Sequence, residues 1–162
     1  MSFLKDFRVL LLAIWLGAAL FFSAVVAPTA FSVLRGSQVP NANELAGGIV
    51  NRALTVVNTG GFIVGLVLLV TGLLLKRNRL WIFELFSLGV MVIATGVAQW
   101  IIAAKLHSLR ASMVLAVDQI PIADPRRVAF NNLHGYSITA LAIAMIAALI
   151  AFFVITHRAR LN

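Results

Sequence analysis

Four long apolar stretches occupy most of this 162-residue chain, and they constrain its fold more than any other feature. They cover residues 9–34, 53–75, 80–104 and 138–155, and Glu84 is the one acidic or basic residue inside them. A helix that crosses the hydrocarbon core of a bilayer needs about 20 apolar residues. The pattern therefore predicts four transmembrane helices.

Composition and charge agree with a membrane location. Hydrophobic residues make up 62% of the chain and charged residues 11%, whereas a soluble domain carries about 25% charged residues. The net charge of +8 would suggest nucleic acid in a soluble protein. Here the basic residues flank the apolar stretches, where they meet lipid headgroups. We therefore expect membrane lipids as partners and no nucleic acid.

The fold class predicted from this pattern is all-α, an integral membrane up-down-up-down four-helix bundle. One transmembrane domain, residues 1–162, would contain helices at about 7–35, 42–76, 79–117 and 125–158. Asn41 and Glu44 match a capping box before the second helix, and Asp124 precedes Pro125 as an N-cap for the fourth. Extra helical turns at these connections predict helices extended beyond the membrane on one side.

Basic residues give the predicted orientation. Seven lie on the side of both termini and six on the other side, and three of the seven sit in the short turn at residues 76–79. Basic residues in short connections stay in the cytoplasm. We expect a multi-pass protein of the bacterial inner membrane with both termini cytoplasmic.

Small residues recur along every predicted helix and favour close helix packing, because lipid gives no hydrophobic gain for association. We expect each helix to pack through them, or one seam to face a partner chain, with Trp15 pointing away from the first seam toward lipid or a partner. The residues are Ala13, Gly17, Ala24 and Pro28, then Gly61 and Gly65, then Gly89 and Gly96, then Ala144 and Ala148.

Polar residues inside the predicted helices collect toward the extended side, and polar groups at membrane depth are often functional. One hypothesis is a shared polar pocket, and the other is a structural hydrogen-bond network. A bis-histidine haem would need both His107 and His134 to face one cavity, whereas His134 alone could bind a chlorophyll magnesium or another metal; otherwise His134 forms a helix-capping or interhelical hydrogen bond. The pocket residues are Thr29, Asn58, Gln99, Asn131, His134 and Ser137.

The acidic residues lie at helix ends or in loops, with no paired carboxylate inside the membrane, so no catalytic set is visible. We expect a non-enzymatic protein: a structural or accessory subunit that packs against other membrane proteins or itself. One alternative is an oligomeric transporter or permeation unit for a small or metal-containing solute. Another is a pigment- or haem-binding subunit of a photosynthetic or respiratory electron-transfer complex.

Two motifs carry a family resemblance. They are Trp15, Gly17, Phe21, Phe22, Ala27, Pro28 and Phe31 in the first helix, and Phe130, Leu133, His134 and Ser137 in the last. With them the chain resembles the DUF4149, or transmembrane protein 205-like, family of four-helix membrane proteins. The resemblance implies a four-helix fold over nearly the whole chain and carries over no catalytic residue. It also favours one shared site for His134 and the first motif.

Overall fold

The computed structural model of the protein describes residues 2–75 and 79–158, which form four long helices and one short helical turn. Helix α1 comprises Ser2–Phe21, Phe22–Val26 and Ala27–Gly36; α2 is Ala42–Leu73; α3 comprises Arg79–Gly96, Val97–Ile102 and Ala103–Ala111; α4 is Pro125–Arg158; and a 3-10 turn covers Val117–Gln119. These residues contain no β-strand. The predicted all-α fold is confirmed.

The four helices form a closed ring, since each packs on the next along the chain and α1 also packs on α4. All four are long and apolar enough to cross a membrane. The chain is therefore a multi-pass membrane bundle in which neighbouring helices run in opposite directions.

The core side of α1 is a stripe with heptad spacing. Leu12, Trp15, Ala19 and Phe22 are all buried. The Trp15 indole Nε1–H donates to the carbonyl of Val57 across a distance of 2.8 Å. Trp15 thus packs against α2, and the expectation that it points toward lipid or a partner is wrong. The face with the large side chains, rather than the small ones, is the inner face of α1.

The small residues of the other helices lie inside or near the interfaces. Gly61 and Gly65 are buried, and a Cβ at Gly61 would lie 2.6 Å from Trp15 Nε1. Ala144 and Ala148 on α4 are fully buried. Gly89 and Gly96 are half-buried, and Phe62 lies over Gly96. These residues let the helices approach closely.

The small residues of α1 face the other way. Ala13, Gly17, Ala24 and Pro28 are all exposed, and nothing lies within 4 Å of a Cβ placed on Gly17. The prediction that they pack α1 into its own bundle is wrong. At about 100° per residue, Gly17 lies roughly opposite the buried Leu12 and Trp15 stripe.

Two π-helical segments widen the long helices. In α1, the segment Phe22–Val26 ends where the Ala27 N–H donates to the Phe22 carbonyl. Pro28 follows; it has no N–H, and its ring would clash with the carbonyl of Ala24 in a regular α-helix. The wide turn absorbs that clash without a break in α1. The second π segment, Val97–Ile102 in α3, contains Gln99.

Several helix ends differ from expectation. Helix α2 begins at Ala42, but Asn41 has a φ of 58° and makes no side-chain cap, so the predicted capping box is wrong. Helix α3 ends at Ala111 and not at residue 117, and the Ser112 hydroxyl donates to Leu109 O at that end. The Asp124 cap is confirmed by an Arg126 N–H bond of 2.8 Å to Asp124 Oδ1.

The remaining two ends fall near the termini side of the bundle. Helix α1 begins at Ser2, ahead of the expected residue 7. The expected end of α2 at residue 76 lies outside the described residues, and the structure ends α2 at Leu73. Among residues 3–36, Arg8 is the first buried residue of α1, whereas Phe3 in the additional turn is 82% exposed.

Candidate functional site

A buried ion cluster, consisting of Arg8, Glu84 and Arg158, joins the helices at the end of the bundle that carries both termini. Glu84 Oε1 accepts a hydrogen bond of 2.6 Å from Arg8 Nη2, and Glu84 Oε2 accepts one from Arg158 Nη1. Arg8 Nη2 also donates to the Leu68 carbonyl at 2.8 Å. One carboxylate therefore connects α1, α3 and α4, and Arg8 adds α2.

The cluster is fully enclosed. Arg8 is 1% exposed, Glu84 0% and Arg158 6%. A buried charge costs several kcal/mol unless it is well paired, so each member depends on the others. Gly72 makes room, because a Cβ there would lie 3.0 Å from Arg8 Nη2 and 3.2 Å from Glu84 Oε1.

Sequence reasoning missed this cluster because it placed Arg8 and Arg158 at the lipid headgroups. The signal was present in Glu84, an acid alone within an apolar stretch. An intramembrane charge needs a partner. Up-down topology brings the start of α1 and the end of α4 to the start of α3, where Arg8 and Arg158 are the candidates.

Two amide oxygens lie buried without a hydrogen-bond donor among the described residues: Asn58 Oδ1 on α2 and Gln99 Oε1 on α3. Asn58 is 1% exposed. Other buried polar side chains in the same helices are satisfied; Thr95, for example, donates to Met91 O at 2.8 Å. The two amides therefore stand out as acceptors within the membrane-spanning part of the bundle.

The predicted pocket of six residues is not formed as one site. Asn58 and Ser137 are buried, whereas Thr29, Asn131 and His134 are exposed. Ser137 is the first buried residue of α4, and the segment Ala27–Gly36 of α1 buries none. The side chains of the exposed three therefore face away from the packed interior that holds Asn58, although Ala30 and Phe31 beside Thr29 pack against the core.

Polar contacts join the helices at the end of the bundle opposite the two termini. Glu44 on α2 pairs with Arg110 on α3, and Asn43 Nδ2 donates to Asp118. At the start of α4, the hydrogen bond from the Arg126 side chain lowers the pKa of Asp124 below its ordinary value. A shallow groove of about 400 Å³, lined by Lys105 and Ser108 among others, lies between α3 and α4.

Metal-binding side chains do not gather in the part of the chain that the structure describes: no three His, Cys, Asp or Glu residues come together there. His134 lies at the surface of α4. The one place where acidic and basic side chains converge deep in the bundle is, within residues 2–75 and 79–158, the ion cluster.

A four-helix ring closed by a buried ion cluster defines this chain as a small polytopic membrane bundle. The family described as a domain of unknown function (DUF4149) matches residues 10–115, and the chain belongs to that family. The match contains Asn58, Glu84 and Gln99 and leaves out Arg8 and Arg158. No curated protein matches the chain, and no solved structure matches it.

Proposed function

We propose that this protein is a non-enzymatic accessory subunit that binds a transmembrane helix of another membrane protein on the outer face of α1. The observation that carries the proposal is the outward position of the small residues Ala13, Gly17, Ala24 and Pro28. Nothing lies within 4 Å of a Cβ placed on Gly17.

Larger side chains border this surface. Ile14, Leu20 and Phe21 are 61%, 50% and 60% exposed, and they lie three or four residues from Gly17, so they surround it on the helix. The result is a notch in the surface of α1, with Gly17 at its base and these three side chains around it. A partner helix can approach the backbone there and fill the notch.

The chemistry of membranes favours a helix as the occupant. Association of helices in lipid depends on close backbone approach at small residues. A lipid chain gains similar dispersion contact from any apolar face and gives no reason for small residues in one place. A helix, in contrast, needs them to bring two backbones together.

The acidic residues support a non-enzymatic role. Glu84 and Glu44 are held in ion pairs with arginines. Asp124 caps α4 and pairs with Arg126, and Asp118 accepts from Asn43. Each of these carboxylates is engaged in joining or capping helices.

Orientation is part of the proposal. We place both termini in the cytoplasm of a bacterial inner membrane, on the basis of the basic residues in the short turn at residues 76–79. The chain has no cysteine, so single cysteines can be introduced one at a time. A membrane-impermeant thiol reagent should label a cysteine at Arg79 from the cytoplasmic side and one at Ser112 from the other side.

The partner is tested by crosslinking in the native membrane. A photoreactive residue at Gly17 should give a discrete adduct with another membrane protein, and one at Phe153, which is exposed on α4, should not. Adducts only with lipid, or equal adducts from both positions, would refute the proposal. An adduct of twice the protein's own mass would replace the accessory subunit by a homodimer.

A substitution supplies the second test. Gly17→Leu should fill the notch and reduce co-purification of the adduct partner by at least about tenfold, equivalent to 1.4 kcal/mol. Gly135→Leu is a matched control, because Gly135 is also exposed with nothing within 4 Å. Equal losses from the two variants would contradict a specific docking face on α1.

A further inference from the structure

Helix register places Asn58 and Gln99, which carry the two unpaired amide oxygens, at the same level of the interface between α2 and α3. A Cβ on Gly72 would lie 3.1 Å from Leu85 Cδ2, and a Cβ on Gly65 would lie 2.6 Å from Val92 Cγ2. Between these two contacts the residue number falls by seven in α2, from Gly72 to Gly65, and rises by seven in α3, from Leu85 to Val92. Seven further residues in each helix lead to Asn58 and to Gln99, which lies in the π-helical segment Val97–Ile102 of α3.

Contacts next to these residues support that register. Phe62, one turn from Asn58, would lie 3.3 Å from a Cβ on Gly96. Its ring also packs edge-on against that of Trp100, the neighbour of Gln99, with centroids 4.6 Å apart. The close approach of the two helices thus continues up to the level of the amides.

The two buried polar atoms at this level are of one kind, hydrogen-bond acceptors. Asn58 Oδ1 and Gln99 Oε1 are both acceptors, and both are buried without a donor among the described residues. A buried acceptor left unpaired destabilises the fold, because it loses the hydrogen bond that it makes with water in the unfolded chain. Buried polar groups that lack a protein partner commonly bind an ordered water or an ion.

Helix α1 contributes little side-chain volume at the level of Asn58 and Gln99. Arg8 contacts Leu68, and Trp15 contacts Gly61 one heptad further along each helix. The same register places Ala19, which is 0% exposed, near Val57 and Asn58. A methyl group is thus the side chain that α1 contributes there, so α1 takes up little of the space at that level.

We propose that Asn58 and Gln99 form a binding site for one small hydrogen-bond donor, the size of water or ammonium, held between their two amide oxygens. The occupant donates one hydrogen to each oxygen and so joins α2 to α3 inside the membrane. The site is independent of the outer face of α1, because both amide oxygens are buried within the bundle.

The first experiment is a double-mutant cycle on the full-length protein in lipid nanodiscs. Asn58→Leu and Gln99→Leu should each lower the unfolding midpoint. The midpoint of the double variant should be no lower than that of the less stable single variant, since either change removes the shared occupant. Asn58→Leu combined with Ser87→Ala should be additive, because the Ser87 hydroxyl is already bonded to Phe83 O at 2.8 Å. Leucine variants that raise the midpoint, or that add independently, would overturn the proposal.

The second experiment needs no variant and identifies the occupant. In protein labelled with nitrogen-15 at Asn and Gln, the side-chain amides of both residues should show cross-relaxation with a long-lived water. If ammonium chloride, but not potassium chloride, shifts these resonances instead, the occupant is ammonium. Neither signal, together with coupling in the cycle, would mean a direct amide-to-amide hydrogen bond and would overturn the proposal.

Discussion

Arg8 and Glu84 form an ion pair in which Arg8 Nη2 lies 2.6 Å from Glu84 Oε1 and neither side chain is more than 2% exposed. The pair joins α1 to α3, and Arg158 binds the other carboxylate oxygen from α4. Because water does not reach these groups, the free energy of the pair is not screened as it would be at the surface.

The first prediction concerns the loss of the shared carboxylate. Glu84→Gln should lower the free energy of unfolding by about 3–5 kcal/mol, because it removes the carboxylate that pairs with two buried guanidinium groups. The measurement is unfolding in mixed micelles by titration with sodium dodecyl sulfate, followed by circular dichroism.

Two controls separate burial from charge. Glu44→Gln breaks the Arg110 pair, whose side chains are 30% and 40% exposed, and should cost less than about 1 kcal/mol. The triple change Arg8→Met, Glu84→Leu and Arg158→Met should recover most of the stability lost by Glu84→Gln, since it leaves no charge uncompensated. A triple variant as unstable as the single one would contradict this account.

The second prediction concerns the space that Gly61 leaves for Trp15. Gly61→Ala should destabilise the bundle by about 1–3 kcal/mol, because its Cβ would lie 2.6 to 2.7 Å from the indole ring. The same unfolding titration measures the loss. Gly89→Ala is the matched control, since nothing lies within 4 Å of a Cβ there, and it should be neutral or slightly stabilising.

A second-site change tests the steric explanation. Trp15→Phe alone should cost stability through the lost bond to the Val57 carbonyl and the smaller ring. In combination with Gly61→Ala, the smaller ring makes room for the new methyl group, so the double variant should be more stable than the sum of the two losses predicts. Strict additivity would show that Gly61 acts through something other than contact with Trp15.

The third prediction is a pH dependence at the start of α4. The pKa of Asp124 is held low by its hydrogen bond from the Arg126 side chain. A depressed folded-state pKa means that the cap is complete above the ordinary aspartate pKa of about 3.9. Its contribution is lost as pH falls through the lower, folded-state value.

The amide resonance of Arg126 reports this cap directly, because that N–H donates to Asp124 Oδ1. It should hold its position down to about pH 4 and move only below the ordinary aspartate value. Asp124→Asn keeps a good N-cap and should make the resonance independent of pH in that range. A titration midpoint at or above the ordinary aspartate value would contradict the prediction.

The sequence predicts the fold well because hydropathy and length nearly decide it. Four apolar stretches with short connections allow few arrangements, and the Asp124 cap follows from local residue types. Helix α2 starts at the expected Ala42, but without the side-chain cap that the local residues predict. What it predicts less well is which face of a helix turns inward. On α1, small residues and large ones each form a continuous stripe, and Trp15 packs inside because Gly61 on another helix leaves room for it.

The candidate sites also combine features that the sequence predicts with features that depend on packing between helices. Asn58 and Gln99 are recognisable from the sequence as polar residues at membrane depth. The separation of these residues from His134 depends on where the packed core ends, at Ser137 in α4. The ion cluster depends on contacts between residues 74 and 76 positions apart, and local patterns carry no information about pairs that distant.

The spacing of the ion cluster along the chain bears on how the bundle is assembled during synthesis. Arg8 is translated 76 residues before Glu84, and Arg158 follows Glu84 by 74 residues. When Glu84 first enters the membrane, one arginine is available to neutralise it, and the second arrives with the end of α4. The ion cluster is therefore completed only when the last helix has been inserted, and until then Arg8 is its only arginine that can reach Glu84.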